Sequence, residues 1–383
     1  SLFTGLYPSA HGATQASLPL TAHATTLAEA LRERGYETLA FVENPYLETA
    51  HQFDQGFDYW YESWMHREGP QPGMNRVRHE FDQAMKNRTD DRPTFTFVNL
   101  MSAHQPYMPP DFIRERLGID PSYECPLHFH RAHYRGEKVY SDEEIRRLSL
   151  LYDGGVCHND HLVGALLKTL RDTGMWENTI IIITSDHGEN LGEHDHFDHC
   201  FAMYDQTLHI PLIIHDPSRF EPGSVDDQPT QLVDIFPTLM AITGDAAAHP
   251  THGIDLRQPD GRRNRVMFGE YERPYQVLNH YHVVLDRIDQ TPWLKYFRRL
   301  RVVRDGEMKL IWAEDGRHEA YDLSRDAEEH HNIFDSDVHD NLIQLAGQLV
   351  ERYGRDRLPP PDAATPKLGP ETERRLKALG YID

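Results

Sequence analysis

A run of four isoleucines, residues 180–183, leads directly into Thr-Ser-Asp-His-Gly at residues 184–188. A short apolar run bounded by polar residues predicts a buried strand of a parallel sheet. In open α/β sheets, ligands bind beyond the carboxyl ends of the strands, and Asp186 and His187 follow such an end. Together they offer an oxygen and a nitrogen to one divalent cation, while Gly188 permits a sharp turn. The alternative interpretation of this segment is a helix N-cap.

The loop that follows, residues 193–199, alternates histidines with carboxylates. Several histidines interleaved with carboxylates after a strand are typical of a metal or anion site. His199 therefore joins the Asp-His pair as a first candidate. His194 and His196 are second candidates, because a chain with 25 histidines must hold some that serve no site.

The net charge of −22 over 383 residues limits the partners of this chain. Nucleic acids and anionic membranes would be repelled, so neither is expected as a partner. An anionic substrate would need a local positive site, which a bound cation can supply. No apolar stretch approaches the roughly 20 residues that cross a bilayer. The composition therefore leaves a small-molecule substrate as the expected partner, and it leaves the oligomeric state open.

The three cysteines, Cys125, Cys157 and Cys200, cannot form a disulfide framework. Because such frameworks belong to oxidising compartments, their absence favours a cytoplasmic location. Cys200 directly follows His199 and is interpreted either as a soft metal ligand or as a buried, inert thiol.

Strands alternate with helices along most of the chain. The predicted strands are residues 37–42, 95–100, 180–184 and 211–214, and the predicted helices are residues 25–34, 142–172 and 231–244. Such alternation predicts an α/β domain with a largely parallel sheet, which we place at residues 1–285.

The C-terminal part of the chain shows a different pattern. Short strands predicted at residues 300–304, 309–312 and 320–323 are separated by Asp-Gly pairs, the signature of hairpin turns. A helix is predicted at about residues 337–353, and a short final helix ends at Gly380. Residues 286–383 are therefore expected to form a small α+β subdomain with an antiparallel sheet.

Taken in order, these motifs resemble the sulfatase family of the alkaline phosphatase superfamily. The matching segments are residues 1–8 (the end of the family signature), 104–107 (the anion-contacting His-x-Pro-Tyr), 186–188 (the metal-binding strand end), 204–211, 232–239, the strands of the C-terminal part and the closing residues 379–382. The resemblance covers essentially the whole chain. It implies an alkaline-phosphatase-like three-layer sandwich with a mostly parallel mixed sheet, followed by the C-terminal subdomain.

The resemblance also implies a metal-dependent hydrolase of small anionic sulfate esters, which cleaves the S–O bond through a covalent intermediate. Asp186 and His187 would bind one divalent ion, with calcium expected ahead of manganese or zinc. His104 and His199 would be the catalytic residues, the first contacting the sulfuryl group and the second serving the leaving group. The nucleophile of the family signature would lie before Ser1, so the chain is expected to be truncated ahead of it.

Two departures from the family pattern keep other activities open. Residues 42–45 read Val-Glu-Asn-Pro where the family carries Gly-Lys-Trp-His, and His199 stands where a second active-site lysine is expected. Related phosphodiesterases, phosphonate monoester hydrolases and phosphoethanolamine transferases bind a second metal with histidines that match His104 and His199, which suits phosphoryl transfer. A catalytically inactive binding scaffold is the third interpretation.

Overall fold

The structure, a computed structural model, describes residues 1–14, 19–65, 75–244, 249–274, 296, 298–334 and 347. These residues divide into two compact units. Of the described residues, those between 31 and 179 form the first unit, and those between 1 and 30 and between 180 and 347 form the second. His104 lies in the first unit, whereas Asp186, His187 and His199 lie in the second.

The helices and strands follow one another in an α/β order. The helices are α1 (Pro8–His11), α2 (Leu27–Arg32), α3 (Arg76–Lys86), α4 (Asp111–Leu117), α5 (Phe129–Tyr134), α6 (Asp142–Asp172), α7 (Asp205–Leu208), α8 (Ile235–Ile242) and α9 (Pro259–Arg262). The strands are β1 (Glu37–Val42), β2 (Tyr59–Glu62), β3 (Thr94–Val98), β4 (Ile181–Thr184), β5 (Asn190–Leu191), β6 (Phe197–Asp198), β7 (Leu212–His215), β8 (Val266–Tyr271), β9 (Leu300–Asp305), β10 (Met308–Ala313) and β11 (Glu319–Asp322).

The first unit is built on a parallel sheet in the order β2-β1-β3. The central strand β1 is buried from Thr38 to Val42, as expected for a strand covered on both faces. The long helix α6 packs against α3, where the Thr169 hydroxyl donates a hydrogen bond to Asp82 at 2.6 Å. Strand β1 and helix α6 confirm the predictions for residues 37–42 and 142–172.

Helix α6 begins at a capping box. The Ser141 hydroxyl accepts a hydrogen bond from the Glu144 backbone at 3.4 Å, and the Glu144 carboxylate accepts one from the Ser141 backbone at 2.9 Å. Gly174, with a φ of 74°, follows the end of the helix in the left-handed region. None of the described helices combines the length and apolar character that a membrane span requires.

The second unit contains an antiparallel sheet in the order β11-β10-β9-β8. The turn at Asp305-Gly306 joins β9 to β10, and Gly306 has a φ of 57°, so the predicted hairpin is confirmed. Side chains of this sheet enclose Met203 and Tyr204 in one hydrophobic core. The sheet therefore packs on the segment that follows the histidine-rich loop.

Strand β4 departs from its prediction. It forms within the predicted range, but it pairs antiparallel with β7, with Ile182 opposite Ile214, and its residues are half-buried. The predicted burial in a parallel sheet is therefore wrong for this strand in the described structure. An apolar run packs equally well beside a strand of either direction, so its sequence does not determine the pairing.

Two C-terminal predictions are not tested. The helix expected at residues 337–353 and the final helix fall almost entirely outside the described residues. The domain boundary at residue 285 stays a prediction, and β8, which precedes that boundary, pairs with β9.

Candidate active site

Asp186 and His187 lie in the irregular segment directly after β4, at the end of the strand where the sequence predicted a site. The His187 backbone donates a hydrogen bond to the Asp186 carboxylate at 3.2 Å, which holds that side chain beside its neighbour. No helix begins before the short turn at Glu193–Asp195, so the N-cap interpretation is wrong. The Asp186 side chain is 72% exposed, and its carboxylate is free to bind an ion.

The geometry of this pair fits a divalent cation. Nδ1 of His187 donates to the carbonyl oxygen of Gly188 at 2.8 Å, which leaves the lone pair on Nε2. That Nε2 lies 3.6 Å from Oδ2 of Asp186, a separation that two ligands of one metal ion can adopt. Burial and the charge of His199 lower the pKa of His187, so its imidazole is neutral near pH 7, as a ligand must be.

Gly188 occupies a position that only glycine fits. Its N–H donates to the carbonyl oxygen of Thr207 at 2.9 Å, and the Glu189 N–H donates to that of Gln206 at 3.0 Å. A Cβ atom on Gly188 would lie 2.0 Å from the Gln206 carbonyl oxygen. The close approach of α7 therefore requires this glycine, whereas the sequence had suggested a sharp turn.

His199 lies beside the pair, as predicted. Its ring stacks on that of His187 with 4.1 Å between centroids and 26° between planes. Its Nδ1 lies 2.6 Å from Asp198 and 3.5 Å from Glu189, and both carboxylates are almost fully buried. Burial alone would lower the pKa of His199, but Asp198 and Glu189 raise it well above the usual histidine range. His199 is therefore an imidazolium near neutral pH, suited to contact an anion or donate a proton.

Asp198 is the functional residue that the sequence analysis missed. It lies on β6, and its Oδ1 accepts hydrogen bonds from both the backbone and the ring of His199 at 2.6 Å. Among the described residues, Asp198, His199 and Cys200 form the one group whose oxygen, nitrogen and sulfur ligand atoms all lie within 4.8 Å of one another. The direct succession of these three residue types in the sequence was the available signal.

His194 and His196, the second candidates from the sequence, pack against aromatic rings. The His194 ring stacks on Tyr204 with 3.8 Å between centroids and lies 5.6 Å from the ring of His330. The His196 ring packs edge-on against Tyr204 and Tyr296, each at 5.9 Å. These contacts support a packing role for both histidines.

His104 belongs to the first unit and follows β3. Its Nδ1 lies 2.5 Å from the carbonyl oxygen of Gln105, which fixes the ring and leaves Nε2 for another partner. Glu43 holds the preceding segment, because its carboxylate accepts a hydrogen bond from the Met101 backbone at 2.7 Å. Tyr107, three residues beyond His104, is fully buried. The segment that carries His104 is thus fixed on both sides.

The sequence also gave no indication of a buried ionic cluster under α7. Nζ of Lys309, on β10, lies 2.6 Å from Asp205 and 2.6 Å from Glu329. Glu329 also accepts a hydrogen bond from the Asp205 backbone at 2.6 Å. The C-terminal sheet therefore anchors the start of α7, the helix whose carbonyl groups hold the Gly188 turn.

Two family models match the chain. The model described as "Sulfatase" matches residues 1–245, and the one described as "N-sulphoglucosamine sulphohydrolase, C-terminal" matches residues 192–354. The first covers more than half of the chain and includes the Asp186–His187 pair and His199.

Curated relatives carry related names. An arylsulfatase of Clostridium perfringens is 24% identical over 313 residues, which is 76% of this chain and 60% of that protein. An N-acetylglucosamine-6-O-sulfatase of Bacteroides thetaiotaomicron is 30% identical over 210 residues, 51% of this chain and 34% of that protein. The chain thus spans 60% or less of the length of these two relatives.

Solved structures of similar fold include two with a TM-score of 0.69. One is a phosphonate monoester hydrolase of Agrobacterium radiobacter, 21% identical, with 93% of this chain and 85% of that chain covered. The other was determined in complex with its substrate D-glucosamine-2-N,6-O-disulfate and is 20% identical, with 93% and 86% covered. At this identity the likeness shows the fold, which confirms the predicted alkaline-phosphatase-like architecture.

Proposed function

This chain belongs to the sulfatase family, and we propose that it hydrolyses small anionic sulfate esters by cleaving their S–O bond. The observation that carries the proposal is the pair formed by Asp186 and His187, whose carboxylate oxygen and Nε2 lie 3.6 Å apart. Such a pair, with one charged oxygen and one neutral nitrogen, can hold a divalent cation. That cation, together with the positively charged His199 beside it, would suit an anionic substrate.

The family implies a divalent metal ion, which Asp186 and His187 would hold and which, when bound, would neutralise the ester oxygens and activate the nucleophile. His199 would donate its proton to the leaving-group oxygen, with Asp198 fixing the imidazole. His104, whose Nδ1 donates to the Gln105 carbonyl oxygen, would contact the sulfuryl group through Nε2 as an imidazolium, the form that carries a proton on both nitrogens. The covalent step would be carried out by the nucleophile of the family signature.

We propose calcium as the ion at Asp186 and His187. A largely exposed carboxylate is a hard oxygen ligand, which calcium prefers, and the resemblance adds further carboxylates to the same ion. The imidazole of His187 would also suit manganese or zinc, and metal analysis decides among them.

The nature of the substrate draws on the relatives. One relative is named for removing the 6-O-sulfate of N-acetylglucosamine, and one similar structure holds a disulfated glucosamine. We therefore propose a sulfated sugar or aryl sulfate as the substrate class. The phosphonate monoester hydrolase of similar fold supports the second candidate function, a two-metal hydrolase of phosphonate or phosphate diesters in which His104 and His199 are ligands.

Replacing Asp186 tests the proposed site. Asp186→Asn removes the charge of one ligand, so we expect loss of bound metal and a fall in kcat/KM of at least about 100-fold. Asp195→Asn is the matched control, because it makes the same change at another exposed carboxylate of the neighbouring loop. It should retain both metal and activity. Normal metal content and turnover in Asp186→Asn, measured by elemental analysis and sulfate release, would refute the site.

A further inference from the structure

Three consecutive side chains next to the Asp186–His187 pair offer three different donor elements. The carboxylate of Asp198, the imidazole of His199 and the thiol of Cys200 place their ligand atoms within 4.8 Å of one another. Ligands of one tetrahedral zinc ion lie roughly 3.5 Å apart, given bonds of about 2.0 to 2.3 Å. Small side-chain rotations would therefore bring the three donors onto a common ion.

Two carboxylates lie beside the imidazole of this group. Glu189 and Asp198 are both buried, with side chains 4% and 7% exposed, and their oxygens lie 3.5 Å and 2.6 Å from Nδ1 of His199. The group therefore brings carboxylate oxygens, an imidazole and a thiol together in a buried place, a donor set that suits a transition-metal ion.

Cys200 adds a second observation that points to a ligand. It is only 7% exposed, and in the part of the chain that the structure describes its thiol makes no hydrogen bond. Its Sγ nevertheless lies within the same group of donors as Asp198 and His199.

We propose that Asp198, His199 and Cys200 form a second metal site, separate from the Asp186–His187 ion, that binds zinc or a similar transition-metal ion. A metal ion binds the deprotonated forms of an imidazole and a thiol, so binding would release protons to solvent.

The donor set selects the kind of ion. Thiolate and imidazole ligands suit zinc and cobalt, whereas calcium binds oxygen. Glu189, whose Oε1 lies 3.5 Å from Nδ1 of His199, stands where it can provide a fourth ligand. If His199 serves the leaving group, as the proposed function has it, zinc at this site would inhibit hydrolysis. That consequence rests on the proposed function, and the binding itself does not.

Cobalt(II) is the probe that tests this site, because cobalt bound to a thiolate shows an intense charge-transfer absorption that oxygen and nitrogen ligands do not produce. We expect the band in the wild-type protein and its loss in Cys200→Ser. Zinc affinity, measured by competition with a chromophoric chelator, should fall about 10-fold or more in Cys200→Ser. Cys125→Ser, which changes a half-buried cysteine of the first unit, is the matched control and should retain the band and the affinity.

Two further variants keep the test decisive. His199→Gln leaves the buried thiol in place, so it should weaken cobalt binding even where Cys200→Ser fails to fold. Asp186→Asn should lose the proposed calcium yet keep the cobalt–thiolate band, which separates failure of this site from failure of the proposed function. A wild-type protein without the band, or an unchanged band in Cys200→Ser, would overturn the proposal.

Discussion

The hydrogen bond from Nδ1 of His187 to the carbonyl oxygen of Gly188 determines which ring nitrogen can bind a metal. The peptide unit of that carbonyl group is held by α7, since the Glu189 N–H donates to the carbonyl oxygen of Gln206. The proposed metal binding at Nε2 would thus depend on a backbone contact rather than on a further carboxylate. At this scale, the position of one glycine controls the orientation of one imidazole.

Gly188→Ala tests this dependence. The added Cβ would lie 2.0 Å from the Gln206 carbonyl oxygen, so the turn must shift, and we expect metal affinity to fall about 10-fold or more. Titration calorimetry with calcium measures the effect. Gly164→Ala on α6, where an added Cβ meets nothing within 4 Å, is the control and should raise the free energy of unfolding by about 0.5 to 1 kcal/mol. Equal metal affinity in the two variants would contradict the expectation.

The candidate residues were partly predictable at this scale. The succession of Asp186 and His187 after an apolar run identified the pair, and the histidine-rich loop after it identified His199 as a further candidate. The sequence could not show that His199 stacks on His187, or that Asp198 and Glu189 converge on its Nδ1, because those contacts depend on the pairing of β5 with β6. A loop sequence rarely specifies such side-chain geometry.

At the scale of elements, the C-terminal sheet and the short helix α7 act on the site together. Lys309 is 1% exposed and binds both Asp205 and Glu329, which lie at the start of α7 and in the segment after β11. Helix α7 then supplies the carbonyl groups that hold residues 188 and 189. This chain of contacts makes the C-terminal strands part of the support of the site.

Lys309→Met should break that support. The substitution removes the ammonium group beside the buried Glu329 carboxylate, and breaking a buried ion pair in this way typically costs about 3 to 5 kcal/mol of stability. We also expect faster hydrogen exchange at the amides of Gly188 and Glu189, as read by mass spectrometry. Arg265→Met is the matched control, because Arg265 pairs with the fully buried Asp234 at 2.6 Å, at the start of α8. It should lower stability without exposing those amides, and equal exchange in both variants would argue against the coupling.

Elements were predicted best where local signals are strong. Strand β1 and helix α6 formed at their predicted bounds, since a covered apolar strand and a capped helix are both determined locally. The Asp-Gly pair at residues 305–306 gave its hairpin for the same reason. The partner of β4 was not predictable, because β5, β6 and α7 lie between it and β7 in the chain.

At the scale of the whole molecule, the net charge of the protein opposes binding of the proposed anionic substrate. A net charge of −22 repels anions in general, so binding of an anionic ester depends on local positive charge. In the second unit that charge comes from the His199 imidazolium and from the divalent ion that the family implies. A sulfate monoester needs less neutralisation than a transferring phosphoryl group, which favours the one-ion sulfatase function proposed for this chain.

Parallel measurement of kcat/KM for an aryl sulfate, a phosphonate monoester and a phosphate diester, on protein whose metal content is determined in the same preparation, tests this proposal most directly. We predict that the sulfate ester is hydrolysed most efficiently, with one calcium ion bound per chain. Preference for the phosphonate or the diester would contradict it and would favour the second candidate function.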